Sequence, residues 1–406
     1  MATTWPDHVL PWGVVRHADG RTRPATAIDD DVLDLAALAR DGSLDGALPD
    51  PVATLDRPDL DRFLAAGPDA WRGLRARLRE LLDDPTARDR LAPYRTPVAA
   101  VAPQLAFTVA DYVDFYSSQH HAENVSRILR PHDPGLPPAW HHLPIGYHGR
   151  AGTVVVSGTE VVRPSGLRAD PADPSRPVHG PSTRLDLEVE VGWVVGTPTA
   201  LGTTVPTSSF ADHVVGCVLV DDWSARDLQA FEYRPLGPFL GKSFATSVGA
   251  WIVPLDALEP ARVAPPPQPG PPQGHLVPAG DGYDLRLRLE LTPAGASTPT
   301  TVSRPGFATM GWTPAQQLAH LTSNGASLRT GDLYASGTVS GAAPDQRGCL
   351  LELTWGWSEP LHLADGVTRT RGLEDGDTVT ITGDAPGPDG TRTPLGEVVG
   401  RVVPAR

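Results

Sequence analysis

Residues 185–195 read L-D-L-E-V-E-V-G-W-V-V, so that in a strand Leu185, Leu187, Val189 and Val191 face one way and Asp186, Glu188 and Glu190 the other. Three carboxylates at that spacing repel one another. A cation beside them is the expected chemistry; the alternative is a solvated face on an edge strand. Lys242 is the only lysine among 34 basic residues, which marks a place where arginine's broad fork does not replace a compact ammonium. The pair His120-His121 offers a base that titrates near neutrality, or simply two exposed histidines. With only Cys217 and Cys349 and no HExxH helix, a metal site here is oxygen-based, which selects Mg²⁺ or Ca²⁺ over zinc. Four carboxylates, Asp114, Glu188, Glu190 and Asp222, around one divalent ion leave two negative charges, which Arg226 and Lys242 would neutralise. No G-x-S-x-G elbow exists for a serine hydrolase. Residues 237–243 space their glycines one residue too closely for a phosphate loop.

The whole-chain properties narrow the partner. At 406 residues and 40% hydrophobic the chain is long enough for two domains and a large core. A net charge of -14 without any basic run argues against nucleic acid or an anionic membrane, leaving a small molecule as substrate. The N-terminus lacks a signal-peptide pattern and residues 214–220 are too short to span a bilayer, so a cytoplasmic location is expected. Two cysteines do not make a disulfide framework.

These residues need elements to hold them. Val14-Val15 and residues 25–28 predict small strands, and Trp71, Leu74, Leu78, Leu81 and Leu82 predict a helix ending before Pro85, all in a structural first section. Thr108 with Asp111 three residues on permits a helix start; if 111–130 is helical, Asp114 and His121 share a face and Tyr116 points away. Residues 141–150 are a turn-rich segment carrying Tyr147, and 163–184 a proline-rich one. Residues 214–220 predict a buried strand that stops at D-D-W-S-A-R-D-L-Q, whose polar residues belong on a functional loop. Six prolines between 263 and 274 (Pro265, Pro266, Pro267, Pro269, Pro271 and Pro272) place that stretch in a surface loop. Residues 284–291 alternate as a strand, and Thr313-Pro314-Ala315-Gln316 is a capping box opening a helix to about Thr322. Residues 329–341 read as a glycine-punctuated strand and turn, 349–355 as an apolar strand in which Glu352 is either paired or faces solvent on an edge, and 375–383 as part of a closing hairpin.

In order along the chain, D-Y-V-D-F-Y-S-S, H-L-P-I-G-Y-H-G-R, L-D-L-E-V-E, D-W-S-A-R-D-L-Q, E-Y-R-P-L-G-P-F-L-G-K-S-F and D-L-Y-A-S-G-T-V-S-G resemble the fumarylacetoacetase family, most densely from Asp111 to about Trp357. The resemblance implies a mainly β fold with few helices: a small N-terminal SH3-like barrel over 1–108, then a mixed β-sandwich roll over 109–406 that carries catalysis and pairs as a homodimer. It implies Mg²⁺ and/or Ca²⁺ on Asp114, Glu188, Glu190 and Asp222, with a second, Mg²⁺-type assignment at Asp222, Lys242 and Thr246. There Lys242 would contribute its backbone carbonyl, since an ammonium does not ligate a cation. The general base falls on His121, oriented by Glu352, with His120 as a neighbouring confusion. Arg226, Gln229 and Lys242 fall where the family stabilises an oxyanion; Tyr116, Arg130, Tyr147, Gln229, Tyr233 and Thr338 fall on its substrate contacts. The implied reaction is hydrolysis of a carbon-carbon bond in a diketo acid, fumarylacetoacetate, at the end of tyrosine and phenylalanine catabolism. The alternatives are a lyase of the same superfamily, a decarboxylase or hydratase of another oxo-acid, and a non-catalytic metal-stabilised scaffold.

Overall fold

The computed structural model describes residues 3–406 apart from 133–134, 174, 269 and 271. Its centre is a mixed sheet of 13 strands among the described residues. From one edge inward, the N-terminal meander Arg95–Pro97, Asp31–Asp34, Thr22–Ile28 and Trp12–Arg16 joins Trp251–Pro254. Val214–Asp222, Val189–Val195, Leu333–Ala335, Tyr112–Phe115 and Gly146–His148 then follow in that order.

Two layers cover this sheet. On one face, Val194, Val218, Val220 and Leu333 pack with Trp12, Leu33, Phe63, Trp71 and Leu74 of the N-terminal section. The helix Pro68–Asp83 forms there because Trp71, Leu74, Leu78, Leu81 and Leu82 fall on one buried stripe, as their spacing predicts. On the other face, Val189, Val191, Leu219 and Trp223 pack with Leu287, Leu289, Ile381, Leu395 and Val398. Those belong to a second, five-stranded sheet built on Arg286–Thr292 and the hairpin Thr378–Pro386 with Arg392–Val403. The fold is mainly β, yet its first section also carries the helices Leu35–Arg40, Pro51–Leu55, Asp61–Ala65 and Pro85–Arg90.

Three local expectations change. The stretch 111–130 is not one helix: Tyr112–Phe115 is a strand and Gln119–Leu129 a helix opened by Ser118, whose side chain accepts the His121 N–H. Aromatic and β-branched residues in Y-V-D-F favour the pleated surface, and Ser118 is the cap that holds instead of Thr108. Residues 349–355 are not a strand, because Leu350–Leu353 forms one helical turn around a fully buried Glu352. Finally, the strand Val189–Val195 is central, flanked by Val214–Asp222 and Leu333–Ala335, so its acidic face is not solvated. The capping box at Thr313 and the helix Pro314–Thr322 form as expected. Between Val263 and Gly274 the described residues form neither helix nor strand, and Pro269 and Pro271 lie outside them.

Candidate active site

Cross-strand partners share a face of a sheet, and the registers Glu190↔Val220, Gly192↔Ala335 and Ala335↔Asp114 put Glu190, Asp222 and Asp114 on the face that Val218, Val220 and Leu333 line further along. Each of these strands passes from apolar residues to a carboxylate at the same end. Glu188 completes the group just before its strand, bridged to Cys349. One oxygen each from Asp114, Glu188, Glu190 and Asp222 lies within 4.8 Å of the others, and all four side chains are buried.

The basic residues reach only part of this cluster. Lys242 Nζ donates to Glu188 Oε2 and Asp222 Oδ2, both at 2.5 Å. Arg226 donates through NH2 to Glu188 Oε1 at 2.6 Å, through Nε to Asp186 Oδ2 at 2.7 Å and through NH1 to Gln229 Oε1 at 3.2 Å. Tyr147 and Thr246 hydroxyls each stand 3.4 Å from an Asp222 oxygen. Among the described residues, Asp114 Oδ1 and Glu190 Oε1 have no hydrogen-bond partner, and Glu190 Oε2 accepts only the Gly337 N–H at 3.2 Å.

Charge follows this division in part, since burial raises the Asp222 pKa even beside Lys242. Burial disfavours the Glu188 carboxylate, yet Lys242 and Arg226 outweigh it and hold its pKa well below the ordinary value. Burial also disfavours the Lys242 ammonium, but Asp222 and Glu188 hold its pKa well up. Asp114 and Glu190 are pushed well above the carboxylate range, by burial first and then by neighbouring carboxylates. Two unit charges 4 Å apart interact by about 4 kcal/mol at an effective dielectric near 20, so two cations touching half of the cluster do not settle it. The unpartnered oxygens and the all-oxygen donor set fit a hard divalent cation, whose charge would favour the ionised forms of Asp114 and Glu190.

A second group stands on the helix Gln119–Leu129. His121 Nδ1 lies 2.6 Å from Glu352 Oε2, and Glu352 also accepts from Asn124 Nδ2 at 2.9 Å, Ser340 Oγ at 2.8 Å and Cys349 Sγ at 3.3 Å. Burial would raise Glu352, but His121 and these hydrogen bonds bring its pKa down to about 2. Glu352 is therefore an anion that only accepts, so in the neutral ring the proton sits on Nδ1 and Nε2 is the acceptor. Cys349 also lies near this pair, and burial pushes its thiol well up, so it stays protonated and donates to Glu352. The Tyr116 ring packs edge-on against His121, centroids 5.2 Å apart.

A cavity of about 110 Å³ opens beside the cluster, lined by Tyr147, Arg150, Asp222, Phe239, Lys242 and Thr246 among others. Thr338 is buried with an unpartnered hydroxyl. Two expected members bond elsewhere: Arg130 to Ser126 Oγ and the Gly135 carbonyl, and Tyr233 accepts from Arg234 Nε. The sequence reading also passed over Asn124 and Ser340, which hold Glu352, and gave Asp186 no role beyond the alternation. No local pattern marks any of them, since their partners are distant in the chain.

The family model for the fumarylacetoacetate (FAA) hydrolase C-terminal region matches residues 111–403, and that for the fumarylacetoacetase N-terminal region matches 8–107. A fumarylacetoacetase of Arabidopsis thaliana is 43% identical over 408 residues, covering 99% of this chain and 96% of its own. One from Bos taurus is 42% identical over 416 residues with the same coverage. The solved structure of a fumarylacetoacetate hydrolase from psychrophilic Exiguobacterium antarcticum shares the fold at a TM-score of 0.53 and 17% identity, covering 98% of this chain and 100% of that one. Matched along nearly its whole length by relatives at such identity, with a caged acidic cluster and a histidine-glutamate pair where the motifs converge, the chain belongs to the fumarylacetoacetase family.

Proposed function

We infer that this protein is a hydrolase of a carbon-carbon bond, fumarylacetoacetase, converting 4-fumarylacetoacetate to fumarate and acetoacetate in tyrosine and phenylalanine breakdown. The observation that carries the reading is the buried His121–Glu352 pair, 2.6 Å apart, in the same site as four clustered carboxylates with orphaned oxygens. Asp114, Glu188, Glu190 and Asp222 would hold the cation, Mg²⁺ or Ca²⁺; the second, Mg²⁺-type assignment keeps Asp222 and Thr246 and uses the Lys242 carbonyl, its ammonium being engaged by carboxylates. Once bound, such an ion polarises the diketone oxygens and stabilises charge that develops on them.

The chain's own groups supply the rest. His121 Nε2 takes a proton from water while Glu352 holds the ring and stabilises the imidazolium. Hydroxide adds to the fumaroyl carbonyl carbon. The oxyanion meets donors from Arg226, Lys242 and the amide nitrogen of Gln229, whose oxygen is already turned to Arg226. When the carbon-carbon bond breaks, its electron pair leaves with acetoacetate, which takes up a proton. Tyr116, Arg130, Tyr147, Tyr233 and Thr338 are proposed to hold the substrate, with Arg130 and Tyr233 reaching it only after moving from their present local bonds. A decarboxylase needs no water-activating base, so the His121–Glu352 pair speaks against the decarboxylase form of the lyase alternative. The reading further includes an SH3-like barrel at 1–108, a sandwich-roll catalytic domain at 109–406, a homodimer and a cytoplasmic location; no described helix is long and apolar enough to cross a membrane.

The test is the diketone absorbance of fumarylacetoacetate with enzyme as purified, after chelation, and with Mg²⁺ or Ca²⁺ restored. Metal-dependent loss with equimolar fumarate is expected. Release of carbon dioxide, or no turnover by folded protein under any metal condition, contradicts the assignment.

A further inference from the structure

Asp186 is fully buried, and both of its oxygens accept two hydrogen bonds. Oδ1 accepts the Leu187 N–H at 2.8 Å and the Leu350 N–H at 2.7 Å. Oδ2 accepts the Leu351 N–H at 3.2 Å and Arg226 Nε at 2.7 Å. The carboxylate therefore stands where three segments cross: its own strand Leu185–Asp186, the paired strand Ser224–Ala225 that leads into Arg226, and the turn Leu350–Leu353 that carries Glu352. Leu350 and Leu351 open that turn, so their N–H groups have no partner within it and Asp186 supplies both. A main-chain carbonyl in its place would accept fewer bonds and bring no charge to the guanidinium.

Arg226 keeps NH1 and NH2 for Gln229 and Glu188 because Nε is tied to Asp186. Glu352, one residue beyond Leu351, aims its carboxylate at His121. We propose that Asp186 is a positioning residue that fixes the oxyanion donor Arg226 and the Glu352–His121 base relative to each other. This rests on the hydrolase reading above, in which both groups act on one substrate carbonyl. Asp186 touches neither substrate nor the clustered oxygens of the cation site; it acts through the two segments it joins.

Asp186→Asn keeps the shape, but whichever way the amide lies, an N–H replaces an oxygen that faces two donors. With metal-loaded enzyme whose melting curve shows a folded population, kcat is expected to fall on the order of 10- to 100-fold while KM stays within about threefold, the signature of lost alignment. In the Arg226→Ala background, and again in Glu352→Gln, the same change is expected to cost clearly less than it does in wild type, since one of the two groups it aligns is already impaired. A kcat within about threefold of wild type, a loss confined to KM, or a factor that multiplies undiminished with either variant overturns the proposal. Should Asp186→Asn not fold, Arg226→Lys removes the Nε tether and keeps the charge; full turnover in that variant also overturns it. Wild-type turnover is assayed alongside: if it is absent, the hydrolase reading has failed, whereas wild-type turnover with an unimpaired Asp186→Asn sinks the positioning role alone.

Discussion

At the scale of single residues, the site divides its charges. Glu188 and Asp222 are matched by Lys242 and Arg226; Asp114 and Glu190 are not. His121→Ala removes the proposed base but none of the clustered oxygens. Its kcat is expected to drop by about 10²- to 10⁴-fold with KM little changed, measured by steady-state diketone loss; near-full rate would show the base to be elsewhere. Glu352 makes a prediction about stability. Its pKa of about 2 lies below the ordinary 4.5, so its ionised form stabilises the fold above about pH 4.5, and that contribution is lost as pH falls toward 2. Melting temperatures measured from pH 7 to 3 should fall less steeply for Glu352→Gln than for wild type. Parallel curves would mean that the buried ion pair contributes nothing to acid stability.

At the scale of elements, the site depends on short pieces set at strand ends. The strand Leu333–Ala335 hands over to Gly337, whose N–H bonds to Glu190 and whose φ is 77°. A Cβ there would stand 2.2 Å from the Phe115 carbonyl, in the strand that carries Asp114. Gly337→Ala thus combines an unfavourable left-handed conformation with a clash against main chain. A destabilisation of about 2 kcal/mol or more is expected, with weakened Ca²⁺ binding by calorimetry, because Glu190 and Asp114 are pushed apart together. Unchanged metal affinity would show that the cluster tolerates movement between these strands. Ser118 works on a similar scale, capping the His121 helix while its hydroxyl donates to the Ser340 carbonyl.

At the scale of the molecule, the central sheet is continuous from the N-terminal meander to the site. Trp12 and Gly13 pair with Ile252 and Trp251, and the N-terminal helices cover the sheet face whose far end bears the carboxylates. A chain beginning at residue 109 would expose Val194, Val215, Val218, Val220 and Ile252, now fully or nearly fully buried. Burying one such side chain contributes about 1.5–3 kcal/mol. The truncated chain is therefore expected to be insoluble or to melt far below the full chain, by circular dichroism and light scattering. A soluble, cooperatively melting, active fragment would show that the first section is dispensable to the sheet.

What the sequence determined by itself was whatever local pattern encodes. The helical stripe from Trp71 to Leu82 and the capping box at Thr313 are each complete within a few residues and each formed, whereas the alternation of 185–195 formed as two strands, Leu185–Asp186 and Val189–Val195, in separate sheets. The acidic strand also announced the need for a cation, since like charges at that spacing repel wherever the strand lies. Tertiary structure decided the rest. Tyr112–Phe115 and Leu350–Leu353 are short enough for distant pairing partners and caps to decide them: Asp114 sits beside Ala335, and Asp186 caps a turn 164 residues away. Asn124 and Ser340 flank Glu352 for the same reason. A carboxylate's partner, and hence its pKa, is set by which distant segments the sheet brings into contact, and no spacing along the chain records that distance.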